Sequence, residues 1–332
     1  MGDPAPTLVD RFRSDFVAIA AGMPERLGIA VSGGPDSLAL LLLAHAAWPD
    51  RIVAATVDHR MRPESAGEAA FVAELCARLS IPHRILTGDL AGASSVQAEA
   101  RALRYRLLQD WATNAGCSHL ATAHHADDQA ETMLMRLARG SGLPGLAGIR
   151  ATRRLGPLAL ARPLLGWRRE ELVAIVADAG IAAVDDPSNR STRYDRTRFR
   201  ALLAETEELP ALRLARAAAN LSECEEALHW AAEAVWSEHV RTEGLVCLFN
   251  PAGLPREIRR RIARRAIENV RRAGALSHAW REDGLDRLLD TLDTGARATL
   301  ADVLCTGGAV WRFEPAPPRN PSGSATVQPN MR

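Results

Sequence analysis

The chain has 332 residues, 47% of them apolar, which is enough for two domains with cores of their own. Its formal net charge is +1, so no overall field indicates a nucleic-acid partner, and any such contact must come from local patches. All 41 basic residues are arginines, and the lack of lysine excludes Walker-type NTPases, protein kinases and Schiff-base enzymes.

The cysteines and the apolar segments indicate the cellular compartment of the protein. Five cysteines are widely spaced, odd in number and never form a C-x-x-C pair, which indicates a reducing compartment and disfavours a zinc ribbon. The first ten residues lack an apolar signal core, and no stretch is long and apolar enough to span a bilayer. We expect a cytoplasmic protein with no membrane contact, and a homodimer is compatible with the sequence.

The first half of the chain alternates between helical and strand patterns. Helices are predicted at 8–21, 63–79 and 95–113, and strands at 27–31, 52–57, 83–86 and 120–123. This alternation predicts an α/β fold with a doubly wound, Rossmann-like parallel sheet. Ligands of such sheets bind at the carboxyl ends of the strands, where the polar clusters of this sequence fall.

The second half predicts a smaller and mainly helical unit. Helices are expected at 168–179, 210–239, 255–272 and 280–292, with strands at 245–249, 301–304 and 309–313. From position 314 the tail is rich in Pro, Ser, Asn and Gly, which predicts disorder. We therefore expect a catalytic domain at 1–208, a helical linker and second domain at 209–313, and a disordered tail at 314–332.

A glycine loop follows the first strand and runs directly into a helix. Its residues are Ser32, Gly33, Gly34, Pro35, Asp36 and Ser37. Paired glycines allow positive φ and close approach of a phosphate, and a helix start offers N–H groups to an anion. Asp36 would repel a phosphate unless a divalent cation lies between them, which indicates a magnesium–nucleotide site. A glycine turn with no ligand remains the alternative.

The densest polar cluster is His124-His-Ala-Asp-Asp-Gln-Ala-Glu-Thr132. On a helix that starts near His125, Asp128 and Glu131 are neighbours at i and i+3. Carboxylates so close together require a cation, which an ammonium group or a metal ion could supply. Zinc is the first metal to test, although the usual i, i+4 histidine pairing is missing. A solvated acidic helix start is the alternative.

Other polar positions have two interpretations each. Asp58 and His59 end a strand and suit a ribose or adenine edge, although an aspartate that caps the next turn is equally typical. The run from Arg190 to Arg200 suits a triphosphate or RNA phosphates. The helix that carries Arg260 and Arg264 is basic enough for a nucleic-acid surface, with a protein interface as the alternative.

The loop Ser32–Ser37 resembles the pyrophosphate loop (PP-loop) of the N-type ATP pyrophosphatases. Further motifs, in order, are similar to the tRNA(Ile)-lysidine synthetase family over residues 25–205. They are Asp58-His59, Arg62-Pro-Glu-Ser65, Glu99-Ala-Arg101, Arg104-Tyr105, His124–Thr132, Arg139-Gly-Ser-Gly142, Arg162-Pro-Leu-Leu165 and Asp186-Pro-Ser-Asn189. Residues 299–313 resemble the first tRNA-binding domain of the family. Long members carry one more C-terminal domain, and we expect this chain to end too soon to hold it.

The resemblance implies a reaction. ATP and Mg²⁺ activate C2 of the wobble cytidine in a CAU-anticodon tRNA(Ile) as an adenylate, and lysine then displaces AMP to give lysidine. By resemblance, ATP contacts Ser32, Gly33, Gly34, Pro35, Asp36, Ser37, Asp58 and His59, with Mg²⁺ on Asp36. Lysine contacts Arg104, Asp128 and Glu131, the catalytic residues are Asp36, Asp127 and Arg193, and tRNA contacts Arg196, Arg200, Arg260 and Arg264. Asp127 either binds metal or accepts a proton.

Two other functions fit parts of the sequence. A tRNA thiolase has the same fold, but thiolases commonly use cysteine pairs that this sequence lacks. A non-catalytic RNA- or nucleotide-binding protein could retain the loop. Such a protein has no need of Asp36 together with Asp127, Asp128 and Glu131, so the acid cluster favours an enzyme.

Overall fold

A computed structural model describes residues 2–20, 22–58, 65–88, 96–184, 195–276, 280 and 283–317. The chain divides into two compact units, Met1–Glu223 and Cys224–Arg332. In the part of the chain that is described, no helix combines the length and the apolar character needed to cross a bilayer. The predicted boundary at residue 208 remains a prediction.

The first unit alternates helices and strands as expected. Its helices are α1 (Pro6–Ala20), α2 (Pro35–Ala47), α3 (Ser65–Arg78), α4 (Val96–Asn114), α5 (Ala126–Ala138), α6 (Leu143–Leu146), α7 (Arg169–Asp178) and α8 (Asp195–Glu205). Its strands are β1 (Leu27–Ala30), β2 (Ile52–Asp58), β3 (His83–Thr87), β4 (His119–Ala121), β5 (Thr152–Leu155) and β6 (Leu158–Ala161). Helix α9 (Ala211–His239) contains the boundary between the units.

The six strands form one sheet in the order β3-β2-β1-β4-β6-β5. The first five of these strands run parallel, which confirms the predicted doubly wound sheet. The sequence analysis predicted neither β6 nor its antiparallel neighbour at the edge of the sheet, β5. Its residues Thr152-Arg-Arg-Leu155 are mostly exposed and carry no apolar alternation that would indicate a strand.

Helix α2 is the centre of the core and fixes the loop before it. Every residue from Leu38 to Leu43 is buried, so this helix is apolar on all sides rather than amphipathic. It packs against α1 and α7, and β1 lies beneath it. The loop at 32–37 is therefore held at both ends by buried elements, at the carboxyl end of the central strand.

The second unit contains helices and an antiparallel sheet. After α9 come β7 (Val240–Glu243), β8 (Val246–Phe249), α10 (Arg256–Ala273), α11 (Leu285–Asp293), β9 (Arg297–Leu300), β10 (Val303–Thr306) and β11 (Trp311–Pro315). The strand order is β7-β8-β11-β10-β9. The sequence analysis missed β7 and β9, which are four-residue strands with exposed charged residues. Strand β11 extends through Pro315, past the expected start of the tail, and residues 318–332 lie outside the described part.

Candidate active site

The loop after β1 is built around two serines and one glycine with positive φ. Ser37 Oγ accepts a hydrogen bond from the N–H of Ser32 at 3.1 Å and donates to the carbonyl of Gly34 at 2.9 Å. Pro35 lies in the first turn of α2, as its fixed φ favours. These bonds close the loop on itself, so its backbone stays in place without a ligand.

Only one of the two glycines has the expected positive φ. Gly33 has φ +88°, whereas Gly34 caps α2 in an extended conformation with φ −74°. The carbonyl of Gly33 accepts a hydrogen bond from the N–H of Val184 at 3.1 Å. A Cβ atom at Gly33 would lie 3.4 Å from a Val184 methyl group, so conformation rather than space requires glycine there.

His125 lies between three carboxylates and joins the loop to α5. Its ring nitrogens lie 3.6 Å from Asp36, 3.6 Å from Asp127 and 3.5 Å from Asp128, and the residue is 3% exposed. Burial alone would lower the pKa of His125. Hydrogen bonds to Asp127 and Asp36 and the nearby charge of Asp128 outweigh burial and raise the pKa to about 10. The ring is therefore an imidazolium at neutral pH.

This protonation state decides how α5 begins. The N–H of Asp128 lies 3.4 Å from Nδ1 of His125, but a protonated Nδ1 has no lone pair to accept it. We therefore assign Nδ1–H to Asp127. The N–H of His125 donates to Asp128 Oδ2 at 3.2 Å, which is the other half of a capping box.

Asp127 joins the start of α5 to the start of α7. One oxygen accepts the N–H of Arg169 at 2.8 Å, and both oxygens lie 3.3 Å from Nε of Arg168. Burial would raise the pKa of Asp127, but the hydrogen bonds from His125, Arg169 and Arg168 lower it well below its usual range. A carboxylate with so low a pKa is a weak proton acceptor at neutral pH.

Asp128 and Glu131 contact two arginines of α8. Arg196 donates through Nε to Glu131 at 2.7 Å and through Nη2 to Asp128 at 2.9 Å. Arg200 donates through Nε to the other oxygen of Glu131 at 2.7 Å. Glu131 is 1% exposed, and guanidinium groups satisfy both of its oxygens. The acid pair binds cations, as its spacing predicts.

The residues present fit a magnesium ion at one position. Oδ1 of Asp36 is buried and has no hydrogen-bond partner in the described part of the chain. It lies 3.9 Å from Nε of Arg169. No group of three or more His, Cys, Asp or Glu side chains among the described residues has the arrangement of a metal site. A Mg²⁺ ion on Asp36 would thus take its other ligands from phosphate oxygens and water, as is usual for this ion.

The remaining predicted residues of the first unit have other neighbours or lie outside the described ranges. Asp58 ends β2 and accepts a hydrogen bond from Ser65 Oγ at 2.7 Å, and the turn between them lies outside the described residues. Arg104 is exposed on α4, and its electrostatic neighbours include Tyr105 and Arg101. His59 and Arg193 lie outside the described residues.

Most of the basic helix α10 faces acidic partners in its own unit. Arg260 contacts Glu257 and Asp286, and Arg261 contacts Glu225 at 2.6 Å. Arg264 lies 4.0 Å from Glu268 and has a 41% exposed side chain. The positive charge of this helix is therefore partly balanced locally, and the assignment of Arg260 and Arg264 to tRNA remains a prediction.

Two residues of the centre were not singled out from the sequence. Arg168 forms an ion pair with Asp127. The only sequence feature that could indicate this contact is a basic residue at a helix start. Gln129 lies in the polar cluster but is structural, because its side-chain amide pairs with both backbone groups of Ile149 at 2.6 and 3.0 Å. A buried glutamine with a complete pair of backbone bonds ties α5 to the segment after α6.

Comparisons with known proteins found a matching domain family and similar proteins. The family profile described as a PP-loop domain matches residues 10–207. A tRNA(Ile)-lysidine synthase of Zymomonas mobilis is 46% identical over 91% of this chain and 92% of its own. One of Novosphingobium aromaticivorans is 47% identical over 95% of this chain and 96% of its own.

A solved structure supports the fold alone. The U34-tRNA thiolase NcsA from Methanococcus maripaludis, solved with its [4Fe-4S] cluster, has a TM-score of 0.57 and is 16% identical. It covers 65% of this chain and 78% of its own. In the present chain all five cysteines are free.

Proposed function

The chain belongs to the tRNA(Ile)-lysidine synthase family, and from that premise we propose how its centre joins lysine to C2 of the wobble cytidine in CAU-anticodon tRNA(Ile). The enzyme is an ATP-dependent ligase that forms a carbon–nitrogen bond and releases AMP and pyrophosphate. The observation that carries the proposal is the position of the acid pair Asp128 and Glu131. The ring of His125 lies between this pair and the loop, because it contacts both Asp128 and Asp36.

The loop binds the pyrophosphate part of ATP in this proposal. Ser32, Gly33, Gly34 and Ser37 surround the start of α2, where N–H groups and the helix dipole favour an anion. Pro35 contributes no N–H but sets the first turn. Asp58 and His59 are proposed to contact the nucleoside side, with Asp58 already fixed by Ser65.

Asp36 would hold Mg²⁺ through its unpartnered oxygen Oδ1. When bound, the ion supplies charge neutralisation between the carboxylate and the triphosphate. The imidazolium of His125 holds the other oxygen of Asp36, so the carboxylate is oriented before ATP binds. Asp127 is proposed to act by positioning His125 and α7, because its lowered pKa makes it a weak base.

The acid pair binds the lysine ammonium, and α8 mimics that contact in the free protein. Arg196 and Arg200 place guanidinium groups on Asp128 and Glu131 at the distances of charged hydrogen bonds. Lysine binding would exchange one cation for another, so the buried carboxylate of Glu131 is never left unpaired. Arg104 is proposed to take the α-carboxylate as a planar fork.

Further contacts are proposed on the RNA side. Once released from the acid pair, Arg196 and Arg200 have the charge to contact tRNA phosphates, and Arg193 is proposed to neutralise the triphosphate. Arg260 and Arg264 are proposed to contact tRNA from the second unit. We also propose a cytoplasmic location, which five free cysteines support, and a homodimer, which sizing chromatography with light scattering would test.

One assay tests the function. The protein is incubated with ATP, Mg²⁺, radiolabelled lysine and an unmodified CAU-anticodon tRNA(Ile) transcript. We expect label to enter the RNA with release of one AMP per lysine, and nuclease digestion should place it on the wobble nucleotide. A tRNA with a CAU anticodon that serves methionine is the matched RNA control.

Each rival function predicts a different result. A thiolase would leave lysine free and incorporate sulfur, and a non-catalytic binder would retain tRNA without forming AMP. Either result, with folded protein and intact RNA, would contradict the proposed reaction.

A further inference from the structure

Tyr105 is the centre of an arginine cluster that the proposed reaction does not use. The guanidinium carbon of Arg101 lies 5.2 Å from the ring centroid, and that of Arg153 lies 5.3 Å from it. Nη2 of Arg101 also lies 3.5 Å from the hydroxyl oxygen. Cation–π contacts of this kind orient guanidinium groups while leaving their N–H donors available.

Arg162 forms the floor of the same cluster. Its side chain is buried, with the residue 5% exposed, and Nη1 donates to the carbonyl of Arg150 at 2.6 Å. Nε is buried without a hydrogen-bond partner in the described part of the chain. A buried guanidinium nitrogen without an acceptor is costly, and an anion would satisfy it.

The cluster has an excess of positive charge. No carboxylate lies within ion-pair distance of Arg101, Arg153 or Arg162 among the described residues, in contrast to the paired arginines of α8 and α10. Burial lowers the pKa of Arg162, a hydrogen bond to Tyr105 opposes this shift, and the charges of Arg153 and Arg101 lower the pKa further. The same field reaches His124, whose pKa falls to about 4 through burial and the charges of Arg162 and Arg101, against the opposing charge of Asp128.

The position of the cluster relates it to the candidate active site. Arg162 directly follows β6, and Arg153 lies at the start of the antiparallel strand β5, so both are at the carboxyl edge of the parallel sheet. His124, which feels the charges of Arg162 and Arg101, immediately precedes His125 of the centre. The cluster thus lies on the β6–β5 side of the centre, and the pyrophosphate loop lies at β1.

We propose that Arg101, Arg153 and Arg162, oriented by Tyr105, bind a backbone phosphodiester of single-stranded RNA beside the reacting nucleotide. The identity of that RNA as the anticodon loop rests on the proposed function. A phosphodiester brings one diffuse negative charge and several acceptor oxygens, which suits three converging guanidinium groups. Such a contact positions the loop and carries no sequence information of its own.

Neighbouring arginines provide matched controls. Arg153 and Arg154 are adjacent on β5 and point to opposite faces of the strand, and both are exposed. Arg101 and Arg106 lie on different sides of α4, and both are exposed. The test compares Arg153→Ala with Arg154→Ala, and Arg101→Ala with Arg106→Ala. Thermal melting of each variant verifies that it is folded.

The measurement is binding of a fluorescent hairpin RNA with a CAU loop, without ATP or lysine, over a series of salt concentrations. Arg153→Ala and Arg101→Ala should each weaken binding roughly threefold to tenfold and reduce the salt slope by about 1. Arg154→Ala and Arg106→Ala should change neither. The loss should be equal for a hairpin with another anticodon, because a phosphate contact is independent of sequence.

If Arg153→Ala and Arg154→Ala bind the hairpin RNA equally well, the phosphodiester site is overturned. The proposed function is left intact if the wild type is active in lysine transfer. A raised lysine KM with unchanged RNA binding would also overturn the site, since the cluster would then hold the lysine carboxylate. Weakened RNA binding in a protein that transfers no lysine would support the site and contradict the proposed function.

Discussion

Nε2 of His125 lies 3.6 Å from Oδ2 of Asp36, and this pair joins the loop after β1 to the helix after β4. The two elements are ninety residues apart in sequence but belong to adjacent strands of the sheet. Because the imidazolium also faces Asp127 and Asp128, one buried cation holds three acids in place. The proposed nucleotide site and the proposed lysine site are thus joined before either substrate binds.

Substitution of His125 removes this buried cation, and the resulting loss of stability should depend on pH. A histidine whose pKa rises on folding adds stability that is fully present below its unfolded pKa of ~6.5. That stability is lost as the pH rises through the folded pKa of about 10. His125→Asn should therefore lower Tm most at pH 6, and the difference from the wild type should narrow towards pH 10.

His83 provides the control, because burial lowers its pKa. A lowered histidine pKa has its effect at acid pH, so the Tm difference caused by His83→Asn should be constant above pH ~7. A His125→Asn difference that stays constant between pH 6 and pH 10 would show that His125 is neutral in the folded protein.

Asp36→Asn should abolish the step that consumes ATP. The amide keeps the shape of the side chain but cannot supply the negative charge that a cation on Oδ1 requires. We expect AMP formation to fall by at least about a hundredfold, equivalent to ~2.7 kcal/mol of activation free energy. Hairpin RNA binding should be retained, and Asp50→Asn, at an exposed position, should leave AMP formation unchanged.

Asp128→Ala should separate RNA binding from lysine transfer. Loss of this carboxylate removes one of the two acids proposed for the lysine ammonium, so transfer should be severely reduced while tRNA binding survives. Filter binding of tRNA and incorporation of labelled lysine measure the two properties. Loss of tRNA binding together with transfer would show that the acid pair is misassigned.

Arg196→Ala should strengthen lysine binding if α8 occupies the lysine site of the free protein. Arg196 contacts both acids, so its removal frees Asp128 and leaves Glu131 with Arg200 alone. The apparent Kd equals the intrinsic Kd divided by the fraction of protein that is competent to bind, so removing the competing state should lower the lysine Kd roughly threefold to tenfold. Isothermal titration with lysine in the presence of an ATP analogue measures this change.

Arg198 is the matched control for that experiment, since it is an exposed arginine on the same helix. In the described part of the chain it forms no ion pair with Asp128 or Glu131. Arg198→Ala should leave the lysine Kd unchanged. Weaker lysine binding by Arg196→Ala would mean that Arg196 supports the site rather than competing for it.

The sequence predicted the fold where patterns were local. Strands β1, β2 and β4 are short apolar runs that end in polar residues, and helix α2 follows a glycine loop, so their order could be read directly. Strand β5 could not, because exposed Thr152-Arg-Arg-Leu155 forms a strand only through its pairing with β6. Strands β7 and β9 depend in the same way on partners elsewhere in the chain.

The sequence predicted which types of residue form the candidate site, but not which of them contact one another. Helical spacing placed Asp128 beside Glu131, and the need for a cation followed from their charge. That the cations are Arg196 and Arg200 depends on how α8 packs against α5, which no periodicity encodes. The role of His125 depends on its contact with Asp36, and that contact between distant positions in the chain could not be read from the sequence.

The arginines of β5 also protect the sheet from aggregation. This strand is an edge of the six-stranded sheet, and edge strands present unpaired N–H and C=O groups to any other chain. Arg153 and Arg154 place a charge on each face of that edge, which discourages a second molecule from adding a strand. Replacing both with β-branched apolar residues would produce a protein that self-associates through β5, which light scattering would detect before any change in catalysis.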